Sequence, residues 1–546
     1  SLFIAMASFA EIKVDTLWTN TSADINEMKS GIGYLDGELL VPSTASANGY
    51  IYVYDAATGL PKYNADSTRV MLDSVVGLAF NDLKVNDIDV VNGNIYAFNG
   101  GVNTHTRLYH WTSKLATPIR YGVDGNISTL TTGFDIKVDG NGNGMFFAVR
   151  RDGKKQTYAT VANYVVKDFV NLTVDLTALG LGTGSGNCVD IVNDSTIWVD
   201  NANTAPILFR FNKTAGTFTK LATISSDKIN GTSGAGIEQF SVKGYNYVVV
   251  ATCNHGTATG IPKNSIMVFQ LNDDYTVTPV TGYLPANDLY GYGTVNGTNV
   301  IEPTVVVDGD VVTIYHIGAN GGMAAHKLSG FPEKTFACST VAEVKAVKEA
   351  NAKVTLNSNA VVTFIVSDGI ILEDATGAIK AQSYAWSNEQ AKGLVAGKKI
   401  TSVSGYANYE EDELDRWGRP TGNKIILSGV IYTPETEKIT YTLGDSVGVT
   451  YAAATPKQIL TAVADYKYEA LKLQDVNIQI TASGDRFVET TDTILPIYTN
   501  AVLPAKATLY GYYGEHPYGA DYGNIFTVMN AEFSKDTLKN VNTLPH

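Results

Sequence analysis

The chain has 546 residues, with 40 Lys and Arg against 54 Asp and Glu, a net charge of −14, 17% charged and 44% apolar residues. Single hydrophobic cores stop growing near ~250–300 residues, so the length excludes one core and the apolar content argues against wholesale disorder. The acidic balance argues against an electrostatic nucleic-acid binder, which needs clustered Lys and Arg against phosphate. Three cysteines, Cys188, Cys253 and Cys338, lie far apart without a paired spacing, so neither a disulfide framework nor a zinc site is expected.

Residues 1–10 carry no charge and are too few to span a bilayer. With Ser8 and Ala10 at the −3 and −1 positions of a cleavage site, they read as the end of a secretory signal, and export follows as an expectation. No later run is long and apolar enough to form a transmembrane segment.

From residue 11 to 330 one unit recurs: an apolar run, a Gly- or Asn-containing turn, and a second apolar run. The six instances are 33–41, 88–97, 136–148, 189–199, 240–249 and 304–312, with turns about 54 residues apart. Asp-Gly and Asn-Gly turns supply the positive φ of tight hairpins. A third strand follows each hairpin, and several units show a fourth. Four antiparallel strands repeated radially predict a β-propeller, of six blades rather than seven. The sixth unit runs out after three strands, and the alternating segment 11–18 is placed to close the ring as its fourth.

At residue 330 the pattern changes. Thr340 to Glu343 predicts a capped helix, followed by short strands to residue 433; Thr455-Pro456-Lys457-Gln458 opens the same order again about 115 residues on. Two small OB-like barrels are expected, over 337–433 and 455–535, joined by a link at 434–454. The fold class is thus mainly β, a propeller followed by two barrels. Phe331 and Phe336 flank the first junction, which predicts burial of at least one between domains. The longer second link predicts a more mobile second barrel.

This layout resembles a family of secreted or surface propeller proteins of gut-dwelling Gram-negative bacteria that carry C-terminal OB-like modules. The likeness rests on the blade grammar of 11–330 and on the run from Thr340 to Val344 that continues through Gly369-Ile370-Ile371-Leu372-Glu373-Asp374. It implies an envelope location and a nutrient- or partner-binding duty; its motifs carry no known catalytic residues, so none are transferred.

Candidate chemistry gathers in two places. Asp87, Asp135, Glu238 and Glu302 stand at the entry of the innermost strands and are expected to ring one mouth of the channel. Loops on that face bring Arg150, His255 and His316 near them, a set suited to a polar ligand or cation, or simply to a solvated rim. On the barrels, Trp417 and the loop bearing Tyr512, Tyr513, His516 and Tyr518 offer rings for a sugar face or an apolar peptide side chain. Asp139 to Gly144 matches half of a calcium loop, but Arg150 stands where the bidentate Glu belongs, and a plain turn is the simpler reading. No cofactor, metal or hydrolase motif is read. These features predict an exported, non-catalytic binding or scaffold protein of the bacterial envelope, taking a glycan, a peptide or an envelope protein. A propeller-type polysaccharide hydrolase or lyase and a surface-assembly or adhesin subunit are the alternatives.

Overall fold

Two-residue turns set the blades. Asp36 and Gly37 have φ of 49° and 82°, Asn92 and Gly93 of 49° and 79°, and Lys243 and Gly244 of 51° and 79°. Two successive positive-φ residues are what a type I′ hairpin needs to follow the twist of its strands. The computed structural model describes residues 12–22, 31–43, 50–72, 85–99, 107–121, 131–150, 152–182, 187–201, 204–225, 229, 233–252, 262, 264–287, 301–318, 322–347, 352–382, 386–410, 424–428, 441–517 and 523–533. They form two compact units that divide at Pro332 and Glu333.

The first unit is a six-bladed propeller of antiparallel sheets. Blade 1 holds Gly33–Leu35, Glu38–Pro42 and Ile51–Asp55. Blade 2 runs from Val85–Val91 through Asn94–Asn99 and Arg107–Trp111 to Ile119–Tyr121. Blade 3 comprises Thr131–Val138, Gly144–Arg150, Gln156–Ala162 and Val165–Leu172. Blade 4 comprises Asn187–Asn193, Thr196–Asn201, Thr204–Asn212 and Thr217–Thr223. Blade 5 comprises Ser233–Val242, Tyr245–Thr252, Ser265–Leu271 and Val277–Pro279. Blade 6 takes Ile301–Asp308, Val311–Gly318 and Gly322–Ser329 from one end of the unit and Lys13–Asn20 from the other.

A separate apolar layer fills the space between each pair of neighbouring blades. Phe98 meets Phe134 and Phe146 between blades 2 and 3, and Phe147 meets Phe211 and Phe218 between blades 3 and 4. The last layer joins blade 6 to blade 1 through Ile317, Tyr315, Leu39 and Tyr54. Because both faces of a blade are covered, its middle strands bury residues of either parity: all of Arg107–Trp111 and Ser265–Leu271 are buried.

The ring closes where the sequence placed the closure. Lys13–Asn20 pairs antiparallel with Gly322–Ser329, setting Thr16 opposite His326. Trp18 then reaches into blade 1, donating its indole N–H to the Ala56 carbonyl at 2.9 Å and lying against Gly59. Gly59 has φ +69°, and a Cβ there would stand 2.4 Å from the indole, so only glycine fits.

The second unit holds two five-stranded barrels. In the first, the opening strand is broken into Ala352–Leu356 and Ala360–Val366, followed by Gly369–Asp374, Gly377–Gln382, Lys398–Glu410 and Lys424–Ser428. The third and fifth strands pair in parallel and the fourth closes onto the first and fifth, the OB order. The second barrel repeats this with Leu471–Ile480, Arg486–Thr490, Thr493–Tyr498, Lys506–Glu515 and Asn524–Glu532. Both modules open alike: Thr335–Cys338 and Ala452–Ala453 each add a parallel strand beside the barrel's first, on either side of a Thr-capped helix. That parallel strand is not legible from patterning, since in each case it is four residues or fewer.

At the first junction, Phe331 is buried among Phe240 and Tyr247 of the propeller, and Phe336 packs on the core of the first barrel. The link between the barrels is structured where described: Tyr441–Ser446 pairs with the fourth strand of the first barrel. The barrels also share an apolar cluster in which Phe364, Ile371 and Ala378 meet Tyr468, Ala470 and Tyr512, in place of the mobility expected of the second. Residues 1–10 and 429–440 lie outside the described residues.

The closure carries a titratable pair. His316 and His326 stack with Nε2 atoms 3.2 Å apart, and His326 Nδ1 meets the Thr16 hydroxyl at 3.1 Å. Burial lowers His326 to about 4 and His316 well below its ordinary value. The unfolded chain therefore takes up protons below pH ~6.5 that the folded pair refuses, and stability falls as pH drops towards 4. Urea denaturation at pH 7 and pH 4.5 should show a loss on the order of 2 kcal/mol from His326, reduced in His326→Gln. An equal pH dependence in the two proteins would contradict this.

Candidate functional site

The innermost strands of blades 2 to 6 bring acids into the propeller channel, where a cavity of about 340 Å³ is lined by Asp87, Asp89, Asp135, Asp190, Glu238 and Glu302. Their carboxylates point along the ring. Asp89 accepts the Ile136 N–H at 3.1 Å, Asp135 accepts that of Ile191, Asp190 that of Gln239 at 3.1 Å, and Glu238 that of Val305. In this register each acid of one blade takes the amide that follows the acid position of the next. The series ends at Thr304, which occupies that position in blade 6 and lines the same cavity. Asp87 makes a second link, accepting Phe134 N–H at 2.9 Å, and Asp200 a third, to Gly236 N–H at 3.1 Å. Glu302 of blade 6 instead accepts the Cys188 thiol of blade 4 at 3.1 Å.

Enclosure sets the electrostatics. Burial pushes Asp87 up to about 7 and Asp190 to about 8, with neighbouring acids adding to the shift, and raises Asp89, Asp135, Glu238 and Glu302 for the same first cause. Burial also raises the Cys188 thiol. Among the described residues, no group of three or more His, Cys, Asp or Glu has metal-ligating geometry.

The expectation of an acid-rimmed mouth is thereby corrected. Asp87, Asp135, Glu238 and Glu302 do converge on the channel, but inside it, as acceptors for main-chain amides of the neighbouring blade or for a thiol. Neither basic candidate described lines this cavity. Arg150 pairs with Asp152 at 3.0 Å, and its carbonyl accepts the Asn187 amide; His316 is buried against His326. His255 lies outside the described residues, as do Trp417 and Tyr518. Asp139 turns its carboxylate onto the N–H groups of Asn141 and Asn143, both at 2.9 Å, as a plain turn does.

The barrel aromatics divide. Tyr512 and Tyr513 are corrected from exposed platform to core: Tyr512 lies in the cluster shared by the barrels and Tyr513 in the core of the second. His516 does face a cavity, standing edge-on to Tyr498 with ring centroids 5.0 Å apart.

That cavity, of about 710 Å³, is the larger of the two and lies between the barrels. One wall is the second and third strands of the first barrel with the turn before them, the face and loop on which OB folds take oligomeric ligands. The other is the second barrel's loop before its last strand together with 498–501. Lys380, buried between Ile379 and Ala381 on the third strand, stands on the first wall. Its ammonium donates to Asp368 Oδ2 at 2.6 Å and to Glu515 of the second barrel at 3.4 Å, while Gln382 Nε2 donates to the same Asp368 oxygen at 3.3 Å. Elsewhere on the barrel junction, Ala470 N–H donates to Glu373 at 2.8 Å, and burial pushes Glu373 up to about 7. Asp368, Lys380, Tyr498 and Glu515 are absent from the sequence-read candidates. Only Lys380 left a signal, as a charge flanked by apolar residues inside a strand otherwise patterned for burial.

The chain is thus a six-bladed propeller followed by a pair of closed five-stranded barrels. No protein-family model and no curated protein matches it in sequence. Similar solved structures include a DUF4623 family protein from Bacteroides eggerthii, at 15% identity and TM-score 0.44 over 58% of this chain and 75% of that one. A luciferin-regenerating enzyme aligns at 9% identity and TM-score 0.35 over 59% of this chain and 97% of its own. The WD40 domain of Toxoplasma gondii coronin aligns at 9% and 0.33 over 60% and 88%. At these scores the likenesses carry no functional argument, and the propeller assignment stands on the strand pairing above.

The channel links make a stability prediction. Asp190→Ala should cost about 1–3 kcal/mol by leaving the Gln239 amide without its acceptor. Asp190→Asn keeps an acceptor and removes an ionisation that the folded ring resists. Because the Asp190 pKa is raised, its stabilising share is full below pH ~4 and lost as pH rises through about 8. Chemical denaturation between pH 6 and pH 9 should therefore show a shallower decline in Asp190→Asn than in the parent. A steeper one would count against the stitching role.

Proposed function

We propose that this chain is an exported, non-catalytic binding protein of the bacterial envelope, in which the propeller is the scaffold and the barrel pair takes a glycan or peptide. The observation that carries this reading is the cavity between the barrels. It joins an OB ligand face to aromatic and polar groups of a second module, at a volume suited to a small ligand or a chain segment. Export is supported by the uncharged opening with Ser8 and Ala10, and the net charge of −14 speaks against phosphate-rich partners.

The channel supports the scaffold half of the reading. A hydrolase or lyase working there would need a carboxyl group placed against substrate, whereas Asp87, Asp89, Asp135, Asp190 and Glu238 hold the main chain of the next blade and Glu302 accepts the Cys188 thiol. Full-length protein should bind members of a glycan array or a peptide library, and Tyr498→Ala should weaken that binding by about tenfold through loss of ring contact. Blank panels, or binding indifferent to Tyr498→Ala, would overturn the assignment.

A further inference from the structure

We propose, building on the binding reading above, that the inter-barrel cavity recognises an uncharged sugar through a vicinal pair of hydroxyl groups, read by Asp368 and Lys380. Asp368 Oδ2 takes both of its protein donors, Lys380 and Gln382, and Oδ1 accepts no hydrogen bond from the described residues. An ammonium group has three protons. Asp368 and Glu515 take two from Lys380, and the third remains for a ligand oxygen. A carboxylate oxygen and an ammonium proton therefore stand side by side on one wall, held by an ion contact of 2.6 Å.

Each sugar hydroxyl both donates and accepts, so two on adjacent carbons match this pair: one donates to Asp368 Oδ1, the other accepts from Lys380. A peptide offers no such repeating arrangement of adjacent hydroxyls. The rings of Tyr498 and His516 line the same cavity and supply apolar area for the C–H face of a pyranose.

Charge selects further. Among the described residues that line the cavity, two carboxylates face one ammonium, and their side chains are mostly enclosed, at 24% exposure for Asp368, 16% for Glu515 and 6% for Lys380. An anionic sugar entering here meets a net negative wall with little solvent screening. An uncharged one meets only hydrogen-bonding groups that are already positioned, and its affinity depends little on salt.

The test uses the intact chain and four soluble probes: a neutral 1,4-linked glucan or mannan oligosaccharide, the same material after periodate, a 1,3-linked glucan and oligogalacturonate. Periodate cleaves the carbon–carbon bond of a vicinal diol. The 1,3-linked chain has none along its length, because its linkage occupies the carbon between its ring hydroxyls. Calorimetry should show binding of the neutral 1,4-linked probe that is unchanged between 50 mM and 500 mM salt, and at least about tenfold weaker binding of the other three. Asp368→Asn, with an unaltered unfolding temperature, should weaken the neutral probe by a similar factor.

Retained affinity after periodate, or equal affinity for the 1,3-linked chain, overturns the diol reading without touching the protein. Binding of oligogalacturonate or of peptides alone, lost in Tyr498→Ala, overturns it while leaving the glycan-or-peptide assignment standing. Failure of every glycan and peptide to bind removes both.

Discussion

One interaction recurs around the propeller and the rest of that unit depends on it: an acid on the inner strand of one blade accepts a main-chain N–H of the next. Asp89, Asp135, Asp190 and Glu238 make these links in register from blade 2 to blade 6. Inner strands converge on an axis and cannot pair with each other as sheet neighbours, so their facing amides would be left without partners. A short acid at each position satisfies one amide and fixes the angular spacing of the blades. The apolar layers then fill the wedge between them, and Lys13–Asn20 completes the ring by β-pairing in blade 6. The arrangement holds acids where burial disfavours their charge, so the same feature that joins the blades makes the ring sensitive to rising pH.

The barrels solve a different problem. A five-stranded OB barrel closes its own hydrogen bonding but leaves a shallow face across its second and third strands. Here the second barrel stands against that face. It buries Phe364 and Ile371 with Tyr468 and Tyr512 on one side and leaves a cavity lined by Lys380, Asp368 and Glu515 on the other. Two similar grammars in tandem thus enclose one composite cavity, with polar groups drawn from both modules. An ion contact that crosses the junction, from Lys380 to Glu515, ties the geometry of the site to the docking of the barrels.

The blades, their number, the closing strand and the barrel pair were legible because each rests on local chemistry. Turns with positive φ, alternation, and Thr residues capping short helices are written in contiguous residues. The role of the channel acids was not legible. Asp135 and Glu238 look alike whether they face solvent or an amide some fifty residues on, and only the curvature of the ring decides. The cavity was invisible for a related reason, since Asp368 and Lys380 meet Tyr498 and Glu515 more than a hundred residues away. Tyr512 and Tyr513 misled because adjacent residues of a strand face opposite sides. One side normally meets solvent, but here one side is the barrel core and the other the neighbouring barrel.

On the proposed function the channel is structural and recognition lies between the barrels, and a hydrogen-exchange footprint tests this directly. On addition of a bound oligosaccharide, amides of 498–501, 515–517 and 366–371 should gain protection. The inner-strand amides of Phe134, Ile136, Ile191 and Gln239, already held by the acids of the preceding blade, should not change. Protection that appears at those inner strands and leaves the barrel segments unaltered would contradict it.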